Sequence, residues 1–542
     1  MSAEIPWEGE VDVAVVGFGA AGACAALQAR EEGASVAILD RFMGGGATAI
    51  SGGIVYAGGG THIQEQAGVQ DTVDEMVTYL QQEVQDVVSH STLRDFCQKS
   101  ADNLHWLEHQ GVVFAATLCP YKTSYPLDRY CLYYSGNETA LPYRERATPA
   151  PRGHRVKGKG MPGRRLFEPL RESAHRHNAL VYYQSQVKRL LCDASGALMG
   201  VEFHQLPPGS LAALAHRWCE KLAQKINNYS PQLGKRLRER ASRLEKKHAR
   251  PHFLRVLKGV ILSTGGFIYN RAMVQQHAPA YRPGMPLGTA GCDGSGIQLG
   301  QSVKGATRYL NRVSAWRFIN PPPAFTQGVL LNDQGKRYIN EELYGATIGE
   351  EMVERQGGTA ILIIDATLRK KARAQVGWGK TQWFQTAPTL LNLWFNARRA
   401  NSIEALARLC RMPEDALRQT LETYNQNAAS GADDPLGKSA KGHHVLKPPF
   451  FAINCSITSK RFPCPTLTLG GLVVDETTGQ VQDAAGQPVV GLYAAGRAAV
   501  GICSRQYVSG LSIADCVYSG RRAGHAASQA EASNTSSTVQ VA

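Results

Sequence analysis

The run Val11-Asp12-Val13-Ala14-Val15-Val16-Gly17-Phe18-Gly19-Ala20-Ala21-Gly22 decides how this chain folds. Its first half is short and β-branched, the mark of a parallel strand buried on both faces. Its second half is a G-x-G-x-x-G turn, and the alanine-rich stretch from Ala23 to Ala29 reads as a helix ended by Gly33. A second strand, Ser35-Val36-Ala37-Ile38-Leu39, closes on Asp40. In such a unit the first glycine makes the tight turn, the second admits a pyrophosphate, and the third lets helix and strand pack closely. Gly17, Gly19 and Gly22 take these roles, and Ala20 and Ala21 open a helix whose N–H groups and positive dipole end serve the phosphates. Asp40 can accept hydrogen bonds from ribose hydroxyls. The unit predicts dinucleotide binding.

The loop Met43-Gly44-Gly45-Gly46-Ala47-Thr48-Ala49-Ile50-Ser51-Gly52-Gly53 follows. Its glycines let backbone run along the ribityl and ring portions of a long flavin, which favours FAD over NAD. Farther on, Gly259-Val260-Ile261-Leu262-Ser263-Thr264-Gly265-Gly266 is another apolar strand ending in a glycine turn. It resembles the A-T-G-G turn of flavoproteins, with Ser263 for the alanine. Thr289-Ala290-Gly291-Cys292-Asp293-Gly294-Ser295-Gly296 resembles their T-G-D-G segment, and Gly491-Leu492-Tyr493-Ala494-Ala495-Gly496 resembles the strand and turn that close an FAD domain.

Composition bounds the rest. The 542 residues suffice for two or three domains, and 43% hydrophobic against 19% charged residues is an ordinary globular balance. Twelve cysteines without a C-x-x-C pair argue against a disulfide framework and a structural zinc site, and point to a reducing cytoplasm. The acidic start lacks the basic region of a signal peptide, and no apolar run is long enough to span a bilayer. Of the net charge of +14, the segment Leu211 to Arg255 carries twelve basic residues against three glutamates. There Leu211, Leu214, Trp218, Leu222 and Ile226 share one helical face, and Ser230-Pro231 starts a second helix continued by Leu233, Leu237, Ala241 and Leu244. Such a basic insert, about 209–255, suits an anionic membrane surface, peripheral on its inner face. The plainer reading is a solvated helical pair packed on its own domain or on a partner subunit. Nucleic acid is not expected.

Together the motifs resemble the fumarate reductase and succinate dehydrogenase flavoprotein superfamily, and within it the 3-ketosteroid dehydrogenases, the Δ4-(5α) group above all. Arg312-Val313-Ser314-Ala315-Trp316-Arg317-Phe318, Asn340-Glu341-Glu342-Leu343-Tyr344-Gly345-Ala346-Thr347 and Tyr507-Val508-Ser509-Gly510-Leu511-Ser512-Ile513-Ala514-Asp515-Cys516 carry the likeness. It implies an α/β protein: a Rossmann-like FAD-binding domain, residues 1–311 and 456–542, with an α+β substrate or capping domain inserted at 312–455. A disordered tail is expected from about 528. The FAD is expected to be noncovalent, since the nearest histidine, His62, lies beyond Gly58-Gly59-Gly60. Besides Gly17, Gly19, Ala20, Ala21, Gly22 and Asp40, the implied cofactor contacts are Arg41, Ala47, Thr48, Ser51, Gly52, Gly53, Val187, Thr264, Gly265, Asp293, Gly496, Arg497, Leu511, Ser512 and Ile513. Arg497 stands where many relatives carry a glutamate that holds the ribityl chain.

The implied reaction removes a proton beside a ketone and passes hydride from the adjacent carbon to the flavin. Tyr507 is assigned the proton, Ser509 the relay, and Tyr344 substrate positioning or proton exchange. A tyrosine near its ordinary pKa of about 10 needs such help to act as a base. The substrate is a steroid-like small molecule; the acceptor that reoxidises the flavin stays open. Alternatives are a Δ1-dehydrogenase, a fumarate- or urocanate-type reductase with Arg461 or Arg317 as acid, and a flavin protein that mainly docks to a membrane or partner. A tyrosine-rich stretch holding Tyr121, Tyr125, Tyr130, Tyr133, Tyr134 and Tyr143 suits either a flat apolar ligand or a surface loop.

Overall fold

The computed structural model describes residues 5–226, 230–532 and 539–541. Strand β1 (Glu10–Val16), helix α1 (Ala20–Glu31) and strand β2 (Val36–Asp40) form as the sequence predicts. β1 lies between β2 and the long strand Arg250–Leu262, parallel to both. Val16 pairs with Leu39 and with Leu262, so three strands end side by side at the glycine turns. Strand Pro488–Ala494 joins the far end of the long strand in parallel, and Leu180–Tyr183 extends the sheet beyond β2. Ligands of open parallel sheets sit outside these carboxyl ends. The first half of the long strand instead pairs antiparallel with Leu198–Gln205, which pairs with Ser185–Asp193.

The helix Leu511–Gln529 packs along α1. A Cβ on Gly520 would lie 2.5 Å from the Ala21 carbonyl oxygen, and one on Gly524 2.3 Å from that of Ala25. Only glycine permits this approach. Both contacts advance by four residues, so the two helices run parallel. Leu511 is nine positions before Gly520, which carries its end about 14 Å past the start of α1 at 1.5 Å per residue.

A second core extends from Phe267 to Cys464. It surrounds an antiparallel sheet of Val329–Leu331, Ile361–Asp365, Phe450–Asn454 and Arg398–Ala400. Strands Met285–Pro286, Val313–Ala315 and Pro465–Thr468 join it to the first body. The α/β architecture is the one expected.

The last helix continues to Gln529, with Ser528 buried and bonded to Glu32, and residues 539–541 pair with 191–193. The tail is expected from about 528; the helix ends at Gln529, and residues 533–538 lie outside the described ones. The insert forms the two expected helices, Leu211–Ile226 and Pro231–His248, and Leu211, Leu214 and Trp218 face outward, Leu211 being 84% exposed. Ala213, His216, Cys219 and Ala223 make the inner face instead. The reason is polar: His216 is needed where the insert meets the nucleotide end of the sheet.

Candidate active site

The nucleotide end is built on three glycines. A Cβ on Gly22 would sit 1.9 Å from the Gly17 carbonyl oxygen, and one on Gly17 2.8 Å from that of Ser263. These two are packing glycines. A Cβ on Gly19 would meet only Thr48 Oγ1, at 3.7 Å, so open space lies before it at the α1 N-terminus. The Ala20 N–H donates to Thr48 Oγ1 (3.1 Å), which ties the 43–53 loop to the helix start. Asp40 accepts from the N–H groups of Phe18 (2.8 Å), Phe42 (2.8 Å) and Gly44 (3.1 Å). Its carboxylate thus fixes the turn and the loop, with little of its acceptor capacity left over for a ribose.

Arg41 is a clamp. It makes a two-bond fork to Glu245 of the insert (2.9 and 2.8 Å) and reaches Asp293 at 2.7 Å. His216 also bonds Glu245 (2.9 Å), and its ring stacks on Phe42 at 5.8 Å. Burial works against the Glu245 charge, yet His216 and Arg41 hold its carboxyl down at about 2. Glu245 and His216 had no motif to announce them. Val187 is buried in the same sheet core as Val16 and Leu39. Thr264 Oγ1 accepts from the Gly296 N–H at 3.2 Å, and Gly265 takes φ +81°.

The other end lies where the C-terminal helix starts. Gly496, at φ +58°, fits between Ala21 and Cys516, and a Cβ there would come within 2.9 and 3.0 Å of them. Arg497 follows, one nitrogen 3.6 Å from Cys292 Sγ and Nη1 buried without a protein partner. Gly510, at φ +88°, begins the helix, and a Cβ on it would strike the Tyr56 backbone at 2.7 Å. Leu511 is buried, while Ser512 and Ile513 are half-buried on its first turn. FAD fits these features. The α1 N-terminus suits its pyrophosphate, the helix end about 14 Å farther suits its ring, and the orphaned Arg497 nitrogen needs an acceptor between them. Ser51 and Gly53 continue the intervening loop, and the Gly52 carbonyl is 2.9 Å from Tyr125 Oη.

Beside this lies a row of rings. Tyr507 packs on Trp316 (4.7 Å), Trp316 on Phe318 (5.6 Å), and Phe318 on Tyr344 (5.2 Å). Ser509 does not serve Tyr507 directly. Its hydroxyl bonds Tyr133 at 3.0 Å and also interacts with Tyr344. The structure thus brings Tyr344, Tyr507 and Ser509 together and adds Tyr133, which the tyrosine-rich stretch offered without singling it out. Burial pushes all three phenols up. Only for Tyr507 do the chief opposing influences include the Gly510 N–H and the Arg497 guanidinium, both of which favour a phenolate.

Behind Tyr344 is a buried network. Its N–H donates to Asn137 Oδ1 (2.6 Å), and Asn137 Nδ2 donates to Glu83 and to Thr347 Oγ1, each at 2.9 Å. Thr347 Oγ1 also accepts from Gln506, the neighbour of Tyr507, at 2.8 Å. Burial raises the Glu83 carboxyl from 4.5 to about 7. A carboxyl raised this way contributes stability that is whole below 4.5 and lost as pH rises through about 7. The melting temperature is therefore expected to fall between about pH 5 and pH 8, and Glu83→Gln to reduce that fall. Asp515, raised to about 6, leaves a remainder of the same sign. Parallel thermal profiles for the two proteins would contradict this.

Comparison with known proteins adds four findings. The family described as FAD binding domain matches residues 12–510. The chain is 41% identical to the 3-oxo-5-alpha-steroid 4-dehydrogenase of Comamonas testosteroni, over 91% of this chain and 93% of that one. It superposes on the 3-ketosteroid-delta4-(5alpha)-dehydrogenase of Rhodococcus jostii, solved with 4-androstene-3,17-dione, with a TM-score of 0.81, 29% identity, and coverage of 96% and 98%. The 3-ketosteroid delta1-dehydrogenase of Sterolibacterium denitrificans shares the fold at a TM-score of 0.64 and 17% identity, covering 96% and 99%.

Proposed function

Because the chain belongs to the FAD-binding flavoprotein family, we propose that its site desaturates ring A of a 3-ketosteroid, introducing the Δ4 double bond of a 5α substrate. It is an FAD-dependent oxidoreductase acting on a CH–CH bond. Residues 312–455 are read as the cap over that substrate. The observation that carries the reading is the cluster of Tyr133, Ser509 and Tyr344 beside Tyr507 at a helix N-terminus.

FAD, when bound, supplies the hydride acceptor. The chain's own work is the proton. Tyr507 is half-buried and so open to a ligand on one side, and it takes the proton beside the ketone. The Gly510 N–H and Arg497 stabilise the phenolate needed for that transfer. Ser509 relays protons between Tyr133 and Tyr344, and Tyr344 positions the substrate through the Phe318–Trp316 row. A dicarboxylate-reducing role has less support. Arg317 is fully buried against the Phe462 ring at 4.6 Å, and Arg461 is tied to the Phe395 carbonyl.

The test is anaerobic mixing of the yellow protein with saturated 5α-3-ketosteroids and, separately, with Δ4-3-ketosteroids. Bleaching by the first set alone is the expected result. Bleaching by the second set would move the reading to Δ1 chemistry, and bleaching by neither would end it.

We also propose that the enzyme is cytoplasmic and rests on the inner membrane face. Among the described residues, no helix is long and apolar enough to cross a bilayer. The outward Leu211, Leu214 and Trp218 of the insert stand among exposed Arg217, Lys221 and Lys225, which complements an anionic lipid surface. Trp378, Trp383, Trp394 and Phe395 form a second exposed apolar set in the cap. Co-sedimentation with anionic liposomes is expected and should drop several-fold in Leu214→Glu/Trp218→Glu. Equal sedimentation of both proteins would overturn the insert's part in it.

A further inference from the structure

Far along the chain from the Tyr507 cluster, the short helix His62–Gln66 meets the helix Ser100–His109. The longer helix buries Asn103, Leu104, Trp106 and Leu107, which leaves His105, Glu108 and His109 on its outer side. His105 and Glu108 are three apart and so share a face. His62 is set by a rigid start. Thr61 is fully buried, closes a capping box with Gln64, and bonds the buried His154 at 2.9 Å.

The ligand atoms of His62, His105 and Glu108 all lie within 4.8 Å of one another. His62 Nε2 is 3.2 Å and His105 Nδ1 3.6 Å from the same oxygen, Glu108 Oε2. A tetrahedral ion with metal–ligand bonds of about 2.0–2.2 Å separates its donors by about 3.3–3.5 Å. The two measured edges bracket that value. The His62 contact has hydrogen-bond length, whereas the His105 contact, three residues apart on one helix, is longer than a hydrogen bond. The His109 ring packs on His105 at 4.2 Å and holds it in that orientation.

We propose that His62, His105 and Glu108 form a surface site for a divalent transition metal of the Zn²⁺ class, separate from the flavin and steroid sites. Two imidazoles and one carboxylate suit Zn²⁺ and Cu²⁺, whereas Mg²⁺ and Ca²⁺ take oxygen donors. The partly exposed side chains leave room for water to complete the shell. Bound metal would pin the segment after strand Ile54–Tyr56, whose Tyr56 N–H donates to the Gly510 carbonyl at the start of the C-terminal helix.

The test uses untagged, flavin-loaded full-length protein stripped with a chelator and titrated with ZnCl₂ in a calorimeter. One equivalent is expected to bind, at least tenfold more weakly in His105→Ala and in Glu108→Gln. Flavin absorbance checks that both variants remain folded. Cu²⁺ added in place of Zn²⁺ should give an EPR spectrum coupled to two nitrogens, falling to one in His105→Ala. No binding, binding of equal strength in both variants, or an EPR spectrum unchanged by the substitution would each overturn the proposal.

Discussion

Tyr507→Phe is expected to retain its FAD and to lose about 10²- to 10⁴-fold in the rate of flavin bleaching by a 5α-3-ketosteroid, the range spanned by a positioned general base. The ring stays, so its packing on Trp316 and the shape of the pocket survive. What goes is the one phenol that the Gly510 N–H and Arg497 draw toward its ionised form. Burial alone would hold a tyrosine protonated at neutral pH. These two groups oppose burial without cancelling it, so the phenol stays above its ordinary value and the polarised ketone must supply the rest. Ser509→Ala should cost less, because its hydroxyl acts through Tyr133 and Tyr344. Stopped-flow reduction with visible spectra measures both variants. A Tyr507→Phe enzyme within fivefold of wild type would remove Tyr507 as the base and shift attention to Tyr344.

The second large effect separates two glycines of one turn. Gly19→Ala should fold normally yet purify almost colourless, because the added methyl enters the open space before the α1 N-terminus where the pyrophosphate fits. Gly22→Ala should instead destabilise the protein itself. Its methyl would overlap the Gly17 carbonyl oxygen at 1.9 Å and crowd Ser263 Oγ at 2.7 Å. Overpacking of a tight core costs about 1–3 kcal/mol and sometimes more, and the obstacle here is backbone that cannot step aside. Thermal melts and the flavin-to-protein absorbance ratio together distinguish the outcomes. A yellow Gly19→Ala protein would mean that the phosphates lie elsewhere.

Much of this was legible because it rests on local rules. Strand, glycine turn and helix follow from φ freedom and close packing, so β1, α1 and β2 stand where their residues put them. Tyr344, Tyr507 and Ser509 were reachable through their flanking motifs. Contacts between distant segments left no such trace. Tyr133 meets Ser509 across 376 positions, and Asn137 meets Tyr344 across 207. Nothing local distinguishes Tyr133 from its neighbours in the tyrosine-rich stretch. The inner face of the insert was hidden for a related reason. Apolar spacing identified a helical face correctly, but which face turns inward was decided by His216 and by Glu245, on a different helix.

That fork from Glu245 to Arg41 has a mechanical corollary. The helix pair that turns Leu211, Leu214 and Trp218 outward is bolted, by its inner carboxylate, to Arg41, the residue after the turn-fixing Asp40. Since Glu245 sits on the second helix of the pair, the insert cannot lift away from the nucleotide end without breaking both bonds of that fork.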